Sequence, residues 1–512
     1  MVINICVNLA VRRRLRHIDR ICREPAAVQE KVLFDMVRRA TDTEWGRGHG
    51  YRRIRTVEDY QAATTPCCYE DMAWIWHRSF QGERDLTWPG HIRYFASTSG
   101  TTMGSSKLMP ISSAAIRANR RAGLSLLGYI HRQVPDADLA AGRTLYLGGC
   151  TRLEREGTSF RGDASGINAR HVPRLVRRFQ LPERDISDRR DWEAKVDAIC
   201  ERYLATPVRA VVGLPSWTLI LFRRLIDTAQ ERWNRPVSTV AEVWPDLKVF
   251  VHFGMAMGPY RDRFDALVGK PLACIDTYSS SEGGLNAVQT RQSDPGMQLE
   301  VDGGAFYEFC PLDSRWRPDL AERLTLNEVE VDRPYAMLLT TVSGIWAYDV
   351  GDIVRFTSLR PPKILFAART DQQLNAFGEH VLQEHLDRAV AGASHALKTT
   401  VENFTVEPVL PTAEDARGTH RWLVEFAGPR PPLEAFARRV DRHVSELSDD
   451  YASHRAGEFG MRDPQAISLT PGTFFTWAKQ RDKLGGQHKI PRVVLSPTMA
   501  EELLAISRSL DS

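Results

Sequence analysis

The sequence is poor in the features that would place it quickly. Its eight cysteines form no C-x-x-C pair, and Cys67–Cys68 are adjacent, a poor geometry for a disulfide. No Cys/His cluster has zinc-site spacing. Unpaired thiols in a reducing cytoplasm are therefore expected. No apolar run approaches the ~20 residues that cross a bilayer. At the N-terminus the arginines follow the apolar stretch, the reverse of a secretory signal, and no small-residue cleavage site follows. There is no repeat and no low-complexity tract. Nor does charge of one sign dominate: 68 Lys+Arg against 64 Asp+Glu leave +4 over 512 residues, too dilute to argue for nucleic acid. Arg12, Arg13, Arg14 and Arg16 form a basic helical stretch, expected as a solvated face rather than a membrane contact.

What is present describes a globular protein, 43% hydrophobic and 26% charged. Its length exceeds the ~250–300 residues at which one core stops growing, so more than one domain is expected. Residues 1–45 carry apolar positions at helical spacing. A short strand over 92–96 leads into a Ser/Thr/Gly segment, then a helix over 112–131. Strand-to-helix alternation recurs at 208–214 with 216–233, and at 247–253 with 259–268, the pattern of an α/β architecture. From 304 to 356 the reading is β-rich, with strands at 306–309, 329–331, 337–341 and 352–356. A smaller α+β unit follows residue 369, with helices at 383–391 and 432–447 and strands at 404–409 and 422–426.

The segment from Ser97 to Lys107 reads S-T-S-G-T-T-M-G-S-S-K. Glycines let backbone N–H groups approach anionic oxygens, hydroxyls add donors, and Lys107 adds a charge. The parts suit a triphosphate, although the spacing is not that of a Walker loop.

This segment resembles the phosphate loop of the GH3 acyl-acid amido synthetases, a branch of the adenylate-forming superfamily. Further segments resemble that family in order. Trp244-Pro245-Asp246-Leu247 is similar to its W-P-x-L, Tyr278 to Gly283 to its Y-x-S-S-E-G, and Tyr348 to Asp352 to its Y-x-V-G-D. Phe306 to Pro311 and Asn327 to Glu330 match strands between them, and Gly486 to Arg492 matches the terminal G-Q-x-K-x-P-R.

The resemblance implies a large N-terminal adenylate-forming domain, 1–369, with α/β sheets and a β-rich subdomain, and a smaller mobile α+β cap, 370–512. It implies ATP and Mg²⁺ as cofactors and a small carboxylic acid and an amine or amino acid as partners. The expected activity is formation of an acyl-adenylate with release of pyrophosphate, then of an amide. Transfer to a CoA or carrier-protein thiol, or ligand sensing without turnover, are the alternatives. No nucleic-acid or membrane partner is expected, and a cytoplasmic location is. Oligomeric state is not readable.

By the same resemblance, Ser99, Gly100, Thr101, Thr102 and Gly104 would wrap the ATP phosphates, with Lys107 nearby. Tyr278 would lie along the adenine, with Ser279, Ser280 and Ser281 beside the nucleotide or acyl carboxylate. Glu282 would hold Mg²⁺, Asp352 the ribose, and Arg369 the ribose or phosphate at the hinge. Lys489 would neutralise the α-phosphate during adenylation. Trp217, Gly254 and Met255 are expected at an acyl pocket. His380 stands where the family usually has a lysine. Glu379, His380, Glu384 and His385 have the wrong spacing for a helical metal site.

Overall fold

The computed structural model describes residues 2–98, 107–254, 257–312, 318–370, 374, 376–377, 379, 381–410, 418–448, 451–452, 455, 461–485, 489–494 and 497–511. The phosphate-loop residues Ser99, Gly100, Thr101, Thr102 and Gly104, together with Met255 and His380, lie outside the described residues.

An 11-stranded sheet organises the body, and its two halves differ in kind. Strands Gln180–Leu181, Arg143–Leu147, Val208–Gly213, Val249–Phe253 and Ala273–Ser280 run parallel in that spatial order. The central two, Val208–Gly213 and Val249–Phe253, are largely apolar runs, as strands covered on both faces require. Helices Pro215–Trp233 and Arg261–Val268 make the crossovers between them. Beyond Ala273–Ser280 the sheet turns antiparallel through Gly284–Arg291, Asp294–Leu299, Pro362–Arg369, Ile345–Leu359, Pro334–Thr341 and Ala305–Pro311. The mixed α/β body with a β-rich half matches the expectation. Residues 329–331 do not form the anticipated strand; only Val331 makes an isolated bridge, to Phe356.

A second, 4-stranded sheet corrects the reading around the phosphate loop. The loop does not pass directly from strand to helix. It joins Tyr94–Thr98 to an antiparallel partner, Lys107–Ile111, and helix Ser113–Gln133 follows. Pro110 disguised that second strand. Lys107–Ile111 lies at the sheet edge, where a missing N–H is tolerated.

A 3-stranded sheet, Val401–Val409, Thr419–Phe426 and Gln465–Leu469, forms the C-terminal unit, with helices Gln383–Ala396 and Leu433–Leu447 on it. Its outer elements join the body's core: Phe474, Trp477, Met499 and Leu503 share one hydrophobic cluster with Trp192, Trp217 and Phe222.

The N-terminal arginines are not uniformly solvated. Arg14 is buried, its guanidinium 2.9 Å from Glu300 and 2.6 Å from Asp302, with Ser125 accepting from its Nε at 2.9 Å. Burial pushes the Glu300 carboxyl up to about 7, against the lowering effect of Arg14. Glu308 and Arg323 form a second buried pair, at 2.8 Å.

Candidate active site

In an open sheet with parallel strands, ligands bind beyond the carboxyl ends of the strands. A cavity of about 2030 Å³ lies there, and it reaches from helix Ser113–Gln133 to the C-terminal unit. Tyr278, Ser279, Ser280, Ser281 and Glu282 all border it, carried by the end of strand Ala273–Ser280 and the turn after it. Ser280 holds that turn, its hydroxyl accepting from the Gly283 N–H at 3.0 Å and from Asn286 at 3.2 Å.

On strand Ile345–Leu359 two carboxylates divide the work. Asp349 accepts the Gly351 N–H at 2.8 Å and stabilises the local backbone. Asp352 faces the cavity, where it accepts from the Tyr278 hydroxyl at 2.5 Å and pairs with Arg369 at 3.1 Å. Gly351 has φ +72°, and a Cβ there would meet Arg369 Nη2 at 2.9 Å, so glycine lets the arginine lie across the strand. The Tyr278 ring stacks on Phe366 at 6.4 Å, with 27° between the planes. Its phenol is held well above its usual pKa by burial, then by the Asp352 charge.

Glu282 is raised from the usual carboxylate range, first by burial and further by the neighbouring charge of Asp352. A carboxylate whose charge is disfavoured in this way is suited to a cation. Magnesium takes one or two carboxylates and completes its shell with phosphate oxygens and water, so this donor set fits it. Among the described residues no cluster of three or more ligating side chains occurs. Glu379, in the segment rejected as a metal site, lies instead against His420 at 2.9 Å, and Glu384 pairs with Arg355 at 2.7 Å.

Lys489 reaches the cavity from the C-terminal unit. A Cβ built on Gly254 would lie 2.6 Å from its Cε and 2.9 Å from its Nζ, so the lysine packs onto the glycine turn after strand Val249–Phe253. It keeps accessible surface in the cavity but is ringed by protein. That desolvation lowers the pKa of its ammonium, while Asp352 and Asp276 act in the opposite direction. Burial pushes Asp276, on the same sheet edge, up to about 7. Arg492 anchors the chain three residues on: it donates to Asp387 at 2.8 Å and to the Tyr260 hydroxyl at 3.2 Å, and lies 4.2 Å from the Phe404 ring. Of the residues around this segment, Asp276, Asp387 and Phe404 were not singled out in the sequence, since each is an ordinary residue until the fold brings it there.

Lys107 borders the cavity too, with its ammonium 3.5 Å from Glu70 and 5.1 Å from the Tyr69 ring. Gly254 lines the cavity but Trp217 does not. Trp217 is packed in the core against Trp192 and Phe475, at 5.1 and 6.5 Å between ring centroids, because its helix turns that face toward helix Trp192–Tyr203. The apolar wall comes instead from Leu124 and Leu127 on one side and Val212, Val251 and Met257 on the other.

Residues 14–170 match the GH3 family N-terminal domain, 299–369 its central domain and 384–498 its C-terminal domain. The chain belongs to the GH3 family. Indole-3-acetic acid-amido synthetase GH3.4 of Arabidopsis thaliana is 23% identical to it, over 95% of this chain and 92% of its own length. GH3.8 of Oryza sativa subsp. indica, named likewise, is 22% identical over 96% and 92%. Among solved structures, the GH3.15 acyl acid amido synthetase superposes with a TM-score of 0.80 at 18% identity, covering 99% of this chain and 96% of that one. A 2-hydroxyisobutyryl-CoA ligase in the postadenylation state, with its acyl-AMP bound, reaches 0.58 at 14% identity, covering 97% and 91%. The fold is thus that of GH3 and other adenylate-forming enzymes.

Proposed function

We propose that this GH3 protein is an ATP-dependent ligase that adenylates a carboxylic acid, releasing pyrophosphate, and passes the acyl group to an amine, an amino acid in the first instance, releasing AMP. The observation that carries this reading is the seat of Lys489 at the carboxyl edge of the parallel strands, among Gly254, Asp276 and Asp352. The relatives named as amido synthetases span almost the whole chain and favour an amide product over a thioester.

A carboxylate attacks the α-phosphorus of ATP against charge repulsion, so catalysis is positioning together with neutralisation. Lys489 is the cation for the α-phosphate oxygens, its reduced hydration making the charge more effective than in water. Lys107 takes the phosphates at the far side, next to the loop of Ser99, Gly100, Thr101, Thr102 and Gly104. Asp352, oriented by Tyr278 and Arg369, accepts from the ribose hydroxyls. The nucleotide base stacks in the region of Tyr278 and Phe366. Glu282 would hold Mg²⁺, which supplies charge neutralisation on the phosphates. The acid lies against the apolar wall of Leu124, Leu127, Val212, Val251 and Met257. Residues 1–369 act as the adenylation body and 370–512 as the cap that brings and withdraws Lys489.

Cys22, Cys67, Cys68, Cys150, Cys200, Cys274 and Cys310 are free thiols, in keeping with a reducing, cytoplasmic setting. Pyrophosphate release from ATP·Mg²⁺, tested across aromatic, fatty and keto acids with and without an amino-acid mixture, tests the proposal. Acid-dependent release with an amide in the mass spectrum supports it; a thioester formed on adding CoA, with no amide, overturns the second step.

A further inference from the structure

Helix Trp192–Tyr203 starts conventionally, with Asp191 accepting the Ala194 N–H at 3.1 Å. Its fourth residue, Lys195, is not where a lysine usually sits. It is 4% exposed, and it borders the cavity. Its ammonium reaches the carbonyls of Gly149 at 3.2 Å and Gly148 at 3.5 Å. The first contact is at the limit of a hydrogen bond and the second is beyond it, although an ammonium carries three donors. Among the described residues no carboxylate pairs with it within 4 Å; Cys150, Asp163 and Asp188 act only from further off. Burial lowers its pKa. A cation in the first turn of a helix also opposes the helix dipole, which favours an anion there. A methionine would fill this position without these costs, so a buried cation is kept beside the cavity with two backbone carbonyls and no carboxylate in contact among the described residues.

The surroundings suit a small organic acid. Tyr146 projects into the same cavity with 41% of its surface exposed, and its hydroxyl has no hydrogen-bond partner among the described residues. Gly149 and Gly254 each lie two residues beyond Leu147 and His252, which both pair with Gly213. Two strand spacings put the Gly149 end about 10 Å from the Lys489 end. That span is the length of a small substrate.

We propose that Lys195 binds a carboxylate on one of the two co-substrates while the reacting end lies at Lys489. The carboxylate is either a second one on the acyl acid or that of an amino-acid acceptor. This inference rests on the ligase reading above and adds a specificity-determining residue to it.

The test uses Lys195→Met, with Lys195→Gln as a second neutral variant and Lys195→Arg as the conservative one, all in the full chain. One arm measures acid-dependent ATP–pyrophosphate exchange with a monocarboxylic acid and with the dicarboxylic acid of equal length. The other measures amide formation with an amino acid and with the amine obtained by removing its carboxyl group. The expected result is a KM raised at least tenfold by Lys195→Met or Lys195→Gln for the carboxylate-bearing member of one pair. The member lacking it stays within twofold, and Lys195→Arg recovers part of the loss. The arm that responds identifies the source of the carboxylate. Equal losses within both pairs, or no loss in either, would overturn the proposal. If the unaltered protein exchanges no pyrophosphate with any acid, the ligase reading fails first, and this inference with it.

Discussion

Lys489 and Gly254 touch: the lysine Cε lies where a methyl group on residue 254 would come within 2.6 Å of it, and Nζ within 2.9 Å. The glycine is at φ +73°, in the left-handed region. Gly254→Ala therefore both strains the turn and pushes the lysine away from the sheet edge. Acid-dependent pyrophosphate release should fall at least tenfold, with ATP affinity by calorimetry changed by less than threefold. Normal release from the variant would mean that the contact has no part in adenylation.

The disfavoured charge of Glu282, raised by burial and further by Asp352, predicts a metal-linked phenotype. In Glu282→Gln the Mg²⁺ concentration for half-maximal pyrophosphate release should rise at least tenfold. Binding of the acid measured without nucleotide should stay within twofold. If both change together, Glu282 is holding the turn and not a cation.

The acid–base behaviour of Lys489 has a definite sign. Desolvation lowers its pKa, so the alkaline limb of the adenylation rate should lie below the ordinary lysine value of about 10.4. Asp276 favours the ammonium and is ionised above about 7. In Asp276→Asn the limb should move to lower pH, and a pH–rate profile above pH 7 measures it; an unmoved limb would separate Asp276 from the lysine. The same burial affects stability. An unfolded chain ionises Asp276 near 3.8, well before the folded one does near 7, so its contribution to stability falls as pH rises through that window.

Arg14 predicts a stability effect far from the cavity. Arg14→Met leaves Glu300 buried without its cation, which costs about 3–5 kcal/mol for a broken buried pair. Because the Glu300 pKa then rises further, the loss should be smaller at pH 5 than at pH 8. Chemical denaturation at both values measures it, and a loss below about 1 kcal/mol at pH 8 would contradict the assignment.

The sequence carried part of the frame of this fold because two of its parallel strands, Val208–Gly213 and Val249–Phe253, are largely apolar runs followed by helices, whereas Arg143–Leu147, Gln180–Leu181 and Ala273–Ser280 are too polar to stand out. It carried Tyr278, Glu282, Asp352 and Lys489 as members of motifs, and all four border one cavity. It failed where burial depends on distant partners. Arg14 looked like a solvated charge until Glu300 and Asp302, nearly 300 residues on, enclosed it. Trp217 looked like a pocket residue, and tertiary packing turned it to Trp192. Strand Lys107–Ile111 was hidden by Pro110, whose tolerance at a sheet edge is a property of the assembled sheet. Lys195 gave no local signal, since nothing in its neighbours foretells that its ammonium ends at Gly149.

The central claim is that Lys489, brought to the sheet edge by the C-terminal unit, drives adenylation. The direct measurement compares acid-dependent pyrophosphate release by the unaltered protein and by Lys489→Ala, with ATP affinity measured alongside. The account predicts a loss of at least a hundredfold in release and a change of less than threefold in ATP affinity. Release by Lys489→Ala within twofold of the unaltered protein would contradict it.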